Sequence, residues 1–156
     1  MLDWFFIGLA VALGGGSGGD NPERAIVEPP QFEAEDQTPT GKFTTAAEIK
    51  PILEATRGNW VAVREYEGQD WLYLTHLLSW RCGMHAFRVG INGGPLEAWE
   101  MPPCLMETAT PNAITGEALI YRTYPPGTVQ SVEVEILYDD LDTAEGRFER
   151  KEVLIP

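Results

Sequence analysis

The spacing of the apolar positions divides this chain into unlike parts. From Trp4 to Leu13 no residue is charged and the apolar positions run almost without a break. Between residues 20 and 42 large apolar side chains are sparse, with Ile26, Val27 and Phe32 standing among acids and prolines. From residue 43 onward the apolar positions return, first at helical spacing and then in alternation.

The helical stretch is short. Ile49, Ile52, Leu53 and Thr56 form one stripe, Thr44 or Thr45 can cap its start, and Glu48 stands where a capping box needs it. Gly58 stops the pattern, so a helix is predicted up to about Arg57. Pro51 lies inside it, which predicts a kink or a later start.

Everything downstream reads as strand. Trp60–Tyr66 and Trp71–Trp80 flank Glu67-Gly68-Gln69, and Ala86–Ile91 and Leu96–Met101 flank Asn92-Gly93-Gly94-Pro95. Glu117–Tyr124 and Val129–Tyr138 flank Pro125-Pro126-Gly127, and Arg147–Ile155 is expected to return along the preceding strand. Val132, Val134, Ile136 and Tyr138 alternate with Ser131, Glu133, Glu135 and Leu137, which predicts one buried face and one mostly wet face. Arg147, Arg150 and Lys151 could then stand opposite Glu133 and Glu135. The expected fold is α+β, mainly β: one helix followed by about seven antiparallel strands, as a small sandwich or a strongly bent sheet.

The flanking segments set the expected organisation. Residues 1–19 form an apolar and Gly-rich segment, 20–42 an acidic Pro-rich linker, and 43–156 a β-rich globular domain. The apolar run is shorter than the roughly 20 residues that cross a bilayer as a helix. It has the length of an export-signal core, and Ala12-Leu13-Gly14 would serve as a cleavage site, although no Lys or Arg precedes Arg24. An export signal or short anchor is the preferred reading, ahead of a segment buried against a partner and of an intramolecular core helix. Trp4, Phe5, Phe6, Ile7, Leu9, Val11 and Leu13 are the expected contacts with a membrane or membrane-protein complex.

Charge narrows the function classes. The chain has 156 residues, with 24 acidic against 11 basic side chains, and a net charge of −13. An acidic surface repels a phosphate backbone, so no nucleic-acid partner is expected.

Candidate chemistry is concentrated in one stretch holding His76, Cys82, His85 and Cys104. Three readings compete. A Cys82–Cys104 disulfide, closing a hairpin at its open end, is preferred and would contribute about 3 kcal/mol through chain entropy. Free buried thiols come second, and a tetrahedral zinc on all four side chains third. His76 alternates with Leu72, Leu74 and Leu78, which predicts an inward-facing histidine on a strand. A Cys82 nucleophile activated by His76 or His85 lacks any marked orienting group or oxyanion hole. Asp139-Asp140-Leu141-Asp142 with Glu145 lacks the Gly and Glu spacing of a calcium loop and reads as a solvated hairpin tip. No catalytic residue, metal or cofactor is therefore expected.

Trp71 and Trp99 fall out of phase with the most apolar positions of their strands, which marks them as a possible ligand or partner surface. The leading expectation is a non-enzymatic accessory or interaction protein. Its disulfide-bearing β-rich head would lie in a periplasmic or extracytoplasmic oxidising compartment, tethered through the apolar N-terminus. The alternative is a periplasmic glycan- or peptide-binding module using its exposed tryptophans.

Overall fold

The computed structural model describes residues 32–156. The expected membrane contacts from Trp4 to Leu13 and most of the expected linker lie outside the described residues. A compact unit runs from Ala34 to Pro156, so it begins earlier than the sequence pattern implied. Residues 35–37 are bonded into it: the Glu35 amide donates to the Asp139 carbonyl and Gln37 Nε2 to Asp139 Oδ1. The Gln37 side-chain oxygen accepts in turn from the Ala47 amide. Asp36 is satisfied locally by the amide and hydroxyl of Thr38, so this acidic stretch can lie against the fold without a buried unpaired charge.

Helix α1 spans Ala46–Ala55 with Thr45 as its N-cap, the Thr45 hydroxyl accepting from the Glu48 amide. Glu48 closes the start by accepting from the Thr45 hydroxyl and from the Gly41 and Thr44 amides. Ile49 and Leu53 of the expected stripe are fully buried together with Ala46, while Ile52 and Thr56 are half-buried. Pro51 sits on the exposed side and does not delay the start. The helix ends before Arg57, because the amide and hydroxyl of Thr56 both return to the Ile52 carbonyl and a 3-10 turn follows at Arg57–Asn59.

Among the described residues the architecture is α+β and mainly β, with eight strands in two sheets that do not close into a barrel. The strands are β1 (Ala62–Tyr66), β2 (Gln69–Tyr73), β3 (Met84–Ile91), β4 (Glu97–Ala98), β5 (Tyr121–Tyr124), β6 (Ser131–Tyr138), β7 (Thr143–Glu149) and β8 (Leu154–Ile155). The first sheet has the order β5-β2-β1-β8 and the second β4-β3-β6-β7. One core joins Ile49 and Leu53 of α1 to Val63 and Leu72 of the first sheet and to Phe87, Val134 and Ile136 of the second.

Two of the expected hairpins are present. Glu67 and Gly68 both have positive φ, the geometry of a tight turn whose twist matches the flanking strands β1 and β2. Asn92 and Gly93 do the same after β3, and β4 pairs with β3 over Arg88↔Ala98 and Val89↔Glu97.

The third expected hairpin is not formed. Residues 125–127 carry the chain from β5 in the first sheet to β6 in the second. The two prolines offer no N–H for a ladder, and the Asp70 carboxylate accepts the amides of Gly127 and Val129, which draws the turn toward β2. β5 pairs instead with β2.

Three further expectations are corrected. The strand expected over Trp71–Trp80 stops at Tyr73, and helix α2 follows at Thr75–Leu78. Leu74, Leu77 and Leu78 are all fully buried, so Leu74 and Leu78 of the alternating set also fit a helical stripe together with Leu77. The last segment does not stay beside β6. After β7 the short helix α3 (Arg150–Val153) turns the chain, and β8 joins β1 in parallel, so the strands are not all antiparallel. Finally, the face of β6 expected to be wet is mostly covered: Ser131, Glu135 and Leu137 are buried. Arg147 pairs with Glu133 as expected, whereas Glu135 is engaged by Arg88 on β3.

Within the Asp139–Glu145 region residues 139–142 form the turn between β6 and β7, with Leu141 at positive φ, and Thr143 to Glu145 belong to β7. It is less solvated than expected. Asp139 is buried and its Oδ1 accepts the Ala46 amide at the start of α1, while Lys50 bridges Asp140 and Asp142.

Candidate functional site

Strand alternation in the first sheet sorts side chains onto two faces. Val63 and Leu72 point into the core, so Arg64 and Tyr66 of β1 and Trp71 and Tyr73 of β2 share the opposite face. Pairing of β2 with β5 places Tyr121 across from Tyr73 and Thr123 across from Trp71. Four aromatic rings therefore gather on one outer face. Trp71 lies 4.6 Å from Tyr121 and 6.3 Å from Tyr73 between ring centroids, the latter pair inclined by only 24°. Tyr66 meets Trp71 edge-on at 5.9 Å.

The rings are held in place while remaining open to solvent. The Trp71 indole N–H donates to the Tyr66 carbonyl, and the Arg64 guanidinium lies 4.3 Å from the Tyr66 ring centroid. Tyr66 and Tyr121 are 43% and 37% exposed, which leaves enough ring surface for a ligand to cover. The outward positions of β1, β2 and β5 are Ala62, Arg64, Tyr66, Gln69, Trp71, Tyr73, Tyr121 and Thr123, with no Asp or Glu among them. In a chain of net charge −13 that is a local exception.

A pocket of about 430 Å³ adjoins this face, with Arg64 and Tyr73 belonging to both. Asn59, Thr75 and His76 give it a polar side, and Ile155 of β8 an apolar one. That volume falls within the range of small-molecule sites. His76, expected inside a strand, sits on α2 with Nε2 2.9 Å from the Thr56 hydroxyl. Burial pushes its pKa below the usual imidazole range, which keeps it uncharged at neutral pH.

The remaining candidates separate. Cys82 and Cys104 are joined at an Sγ–Sγ distance of 2.13 Å, with Cα atoms 5.8 Å apart, so neither is a thiolate for attack or coordination. His85 lies on β3, which follows directly on the 3-10 turn that carries Cys82. Among the described residues no group of three or more His, Cys, Asp or Glu is spaced to hold a metal ion. Next to Cys82 in the chain, Arg81 is buried and donates to the carbonyls of Leu78, Pro102, Pro103, Asn112 and Ala113. This guanidinium and the disulfide together fasten the long segment after β4 to the turn before β3.

Gly83, within the Cys-Gly-Met-His stretch, has a packing reason. A Cβ there would lie 2.7 Å from the Thr45 carbonyl oxygen and 2.7 Å from Ile49 Cδ1.

Of the two tryptophans singled out by alternation, only Trp71 reaches an open face. Trp99 is 3% exposed, stacks on Phe87, donates its indole N–H to the Leu119 carbonyl and lies under the Arg122 guanidinium. It is a core residue. Arg64, Tyr66, Tyr73 and Tyr121 were not singled out. The alternation of Arg64 and Tyr66 about Val63–Glu65 and of Trp71 and Tyr73 about Leu72 carried the signal for three rings, but Tyr121 joins them only through the β2–β5 pairing. Comparison with protein-family models, with characterised proteins and with solved structures returned no match to this chain.

Proposed function

We propose that the unit Ala34–Pro156 is a non-enzymatic binding module whose ligand surface is the outer face of the first sheet. The observation that carries this reading is the gathering of Tyr66, Trp71, Tyr73 and Tyr121 on one face, two of them exposed over about two fifths of their surface and none part of the buried core. Rigid aromatic side chains offer large contact area at small entropic cost, which is what a binding surface requires. A membrane or membrane-protein tether through residues 1–19 would then position this head, and the Cys82–Cys104 pair fits an oxidising compartment. Among the described residues no helix is long and apolar enough to cross a membrane.

The test is a binding screen of the full chain against oligosaccharide and peptide panels, followed by Trp71→Ala and Tyr121→Ala. Loss of at least tenfold in affinity in both variants, with unchanged thermal unfolding, is the expected result. A ligand that binds both variants as well as the parent would show that the site lies elsewhere.

A further inference from the structure

We infer that the ligand of this face is an acidic saccharide, with its sugar faces stacked on the aromatic platform and a carboxylate held by Arg64. The inference rests on the binding-module reading above and adds the ligand class to it.

Charge is the first argument. Arg64 is the one cation among the outward residues of β1, β2 and β5, and no Asp or Glu shares that face or lines the adjoining pocket. Among the described residues its guanidinium is engaged by the Tyr66 ring and by no carboxylate. Arg88, Arg147 and Arg150 each sit on an acid, and the guanidiniums of Arg57 and Arg81 donate to backbone carbonyls. A guanidinium left without an anion, on an acid-free face of a strongly acidic chain, complements an anionic ligand.

The shape and the polar rim favour a sugar. The Trp71, Tyr73 and Tyr121 rings lie against one another on a sheet face as a tilted aromatic platform, with centroids 4.6 to 6.3 Å apart and planes inclined by 24° to 57°, while an extended peptide would add to a sheet edge through its backbone. Pyranose rings present a flat C–H surface to such a platform and hydroxyls around its margin. Asn59, Thr75 and the uncharged His76 line the pocket beside Arg64, a set of neutral donors and acceptors suited to hydroxyl groups.

The experiment is calorimetric titration of the full chain with oligogalacturonate and with the same oligomer as its methyl ester, in the parent, Arg64→Gln and Trp71→Ala. The acid form is expected to bind at least tenfold more tightly than the ester, and Arg64→Gln to erase that difference while unfolding at the parent's temperature. Trp71→Ala should weaken both forms. Equal binding of acid and ester would overturn the role of Arg64 and leave the aromatic platform standing. Binding that ignores Trp71→Ala would overturn the platform itself. Failure of both oligomers to bind, or capture of an acidic peptide in their place, would overturn the saccharide assignment.

Discussion

Asp70 and Arg150 stand 80 residues apart in the chain and meet as a two-pronged ion pair, with N–O distances of 2.7 and 3.1 Å. Asp70 is fully buried on β2, and the amides of Gly127 and Val129 complete its shell. Arg150 opens α3 and also engages Glu65 and the Val129 carbonyl. One carboxylate thus fixes the crossover between the sheets, the exit from β7 and the approach of β8 to β1. The outer face of the first sheet depends on that register.

Breaking this pair should be costly, because the mostly buried Arg150 then keeps only the exposed Glu65 and the Val129 carbonyl as partners. Asp70→Asn is expected to lower stability by roughly 3–5 kcal/mol in denaturant unfolding. The Arg150 fork, with the two amides, holds the Asp70 carboxyl at about 2 despite its burial. A depressed folded-state value contributes stability above the ordinary carboxylate range, and that contribution disappears as pH falls from about 4 toward 2. The parent should therefore lose more stability than Asp70→Asn across that interval, measured as the shift of the urea midpoint.

Much of the fold was legible in the sequence where neighbours in the chain are neighbours in space. The α1 stripe, the Thr45 cap and the Glu67-Gly68 and Asn92-Gly93 turns are local signals, and each is present. The errors fall where a distant partner decides. Leu72, Leu74 and Leu78 alternate, yet Leu74, Leu77 and Leu78 also fit a helix turn, and burial chose the second pattern for residues 75–78. Pro125-Pro126-Gly127 has the composition of a hairpin turn, but Asp70 takes its amides. The candidate face suffered the same way: Trp71 was visible by phase, whereas Tyr121 entered only through the β2–β5 pairing.

Gly83 illustrates a residue whose reason lies entirely in packing. Gly83→Ala should cost about 1–3 kcal/mol, since the Thr45 carbonyl at 2.7 Å belongs to the backbone of the α1 cap and has little room to retreat. Thermal unfolding of the variant checks this, and a parent-like midpoint would show that the cap can shift.

Reduction of Cys82–Cys104 should lower stability by about 2–4 kcal/mol. Arg81→Leu should cost about 3 kcal/mol or more, because five carbonyls lose their donor in a buried setting. Limited proteolysis should then cut first between residues 102 and 113 in the reduced protein and in the variant alike.

Truncation locates the start of the folded unit. A chain beginning at Ala34 should unfold within about 0.5 kcal/mol of the full chain, whereas one beginning at Phe43 should be weaker by about 1–3 kcal/mol. The difference comes from Gln37, which bridges Asp139 and the first turn of α1. Equal stability of the two truncations would show that residues 34–42 contribute nothing.

The claim that the outer face of the first sheet is the ligand surface is tested most directly by the tryptophan indole N–H resonances of the full chain during titration with oligogalacturonate. The Trp71 resonance should shift with saturable dependence on ligand, because its ring lies at the centre of the platform, while those of the core residues Trp60 and Trp99 stay in place. Saturable binding that moves Trp60 or Trp99 and leaves Trp71 untouched would contradict the account.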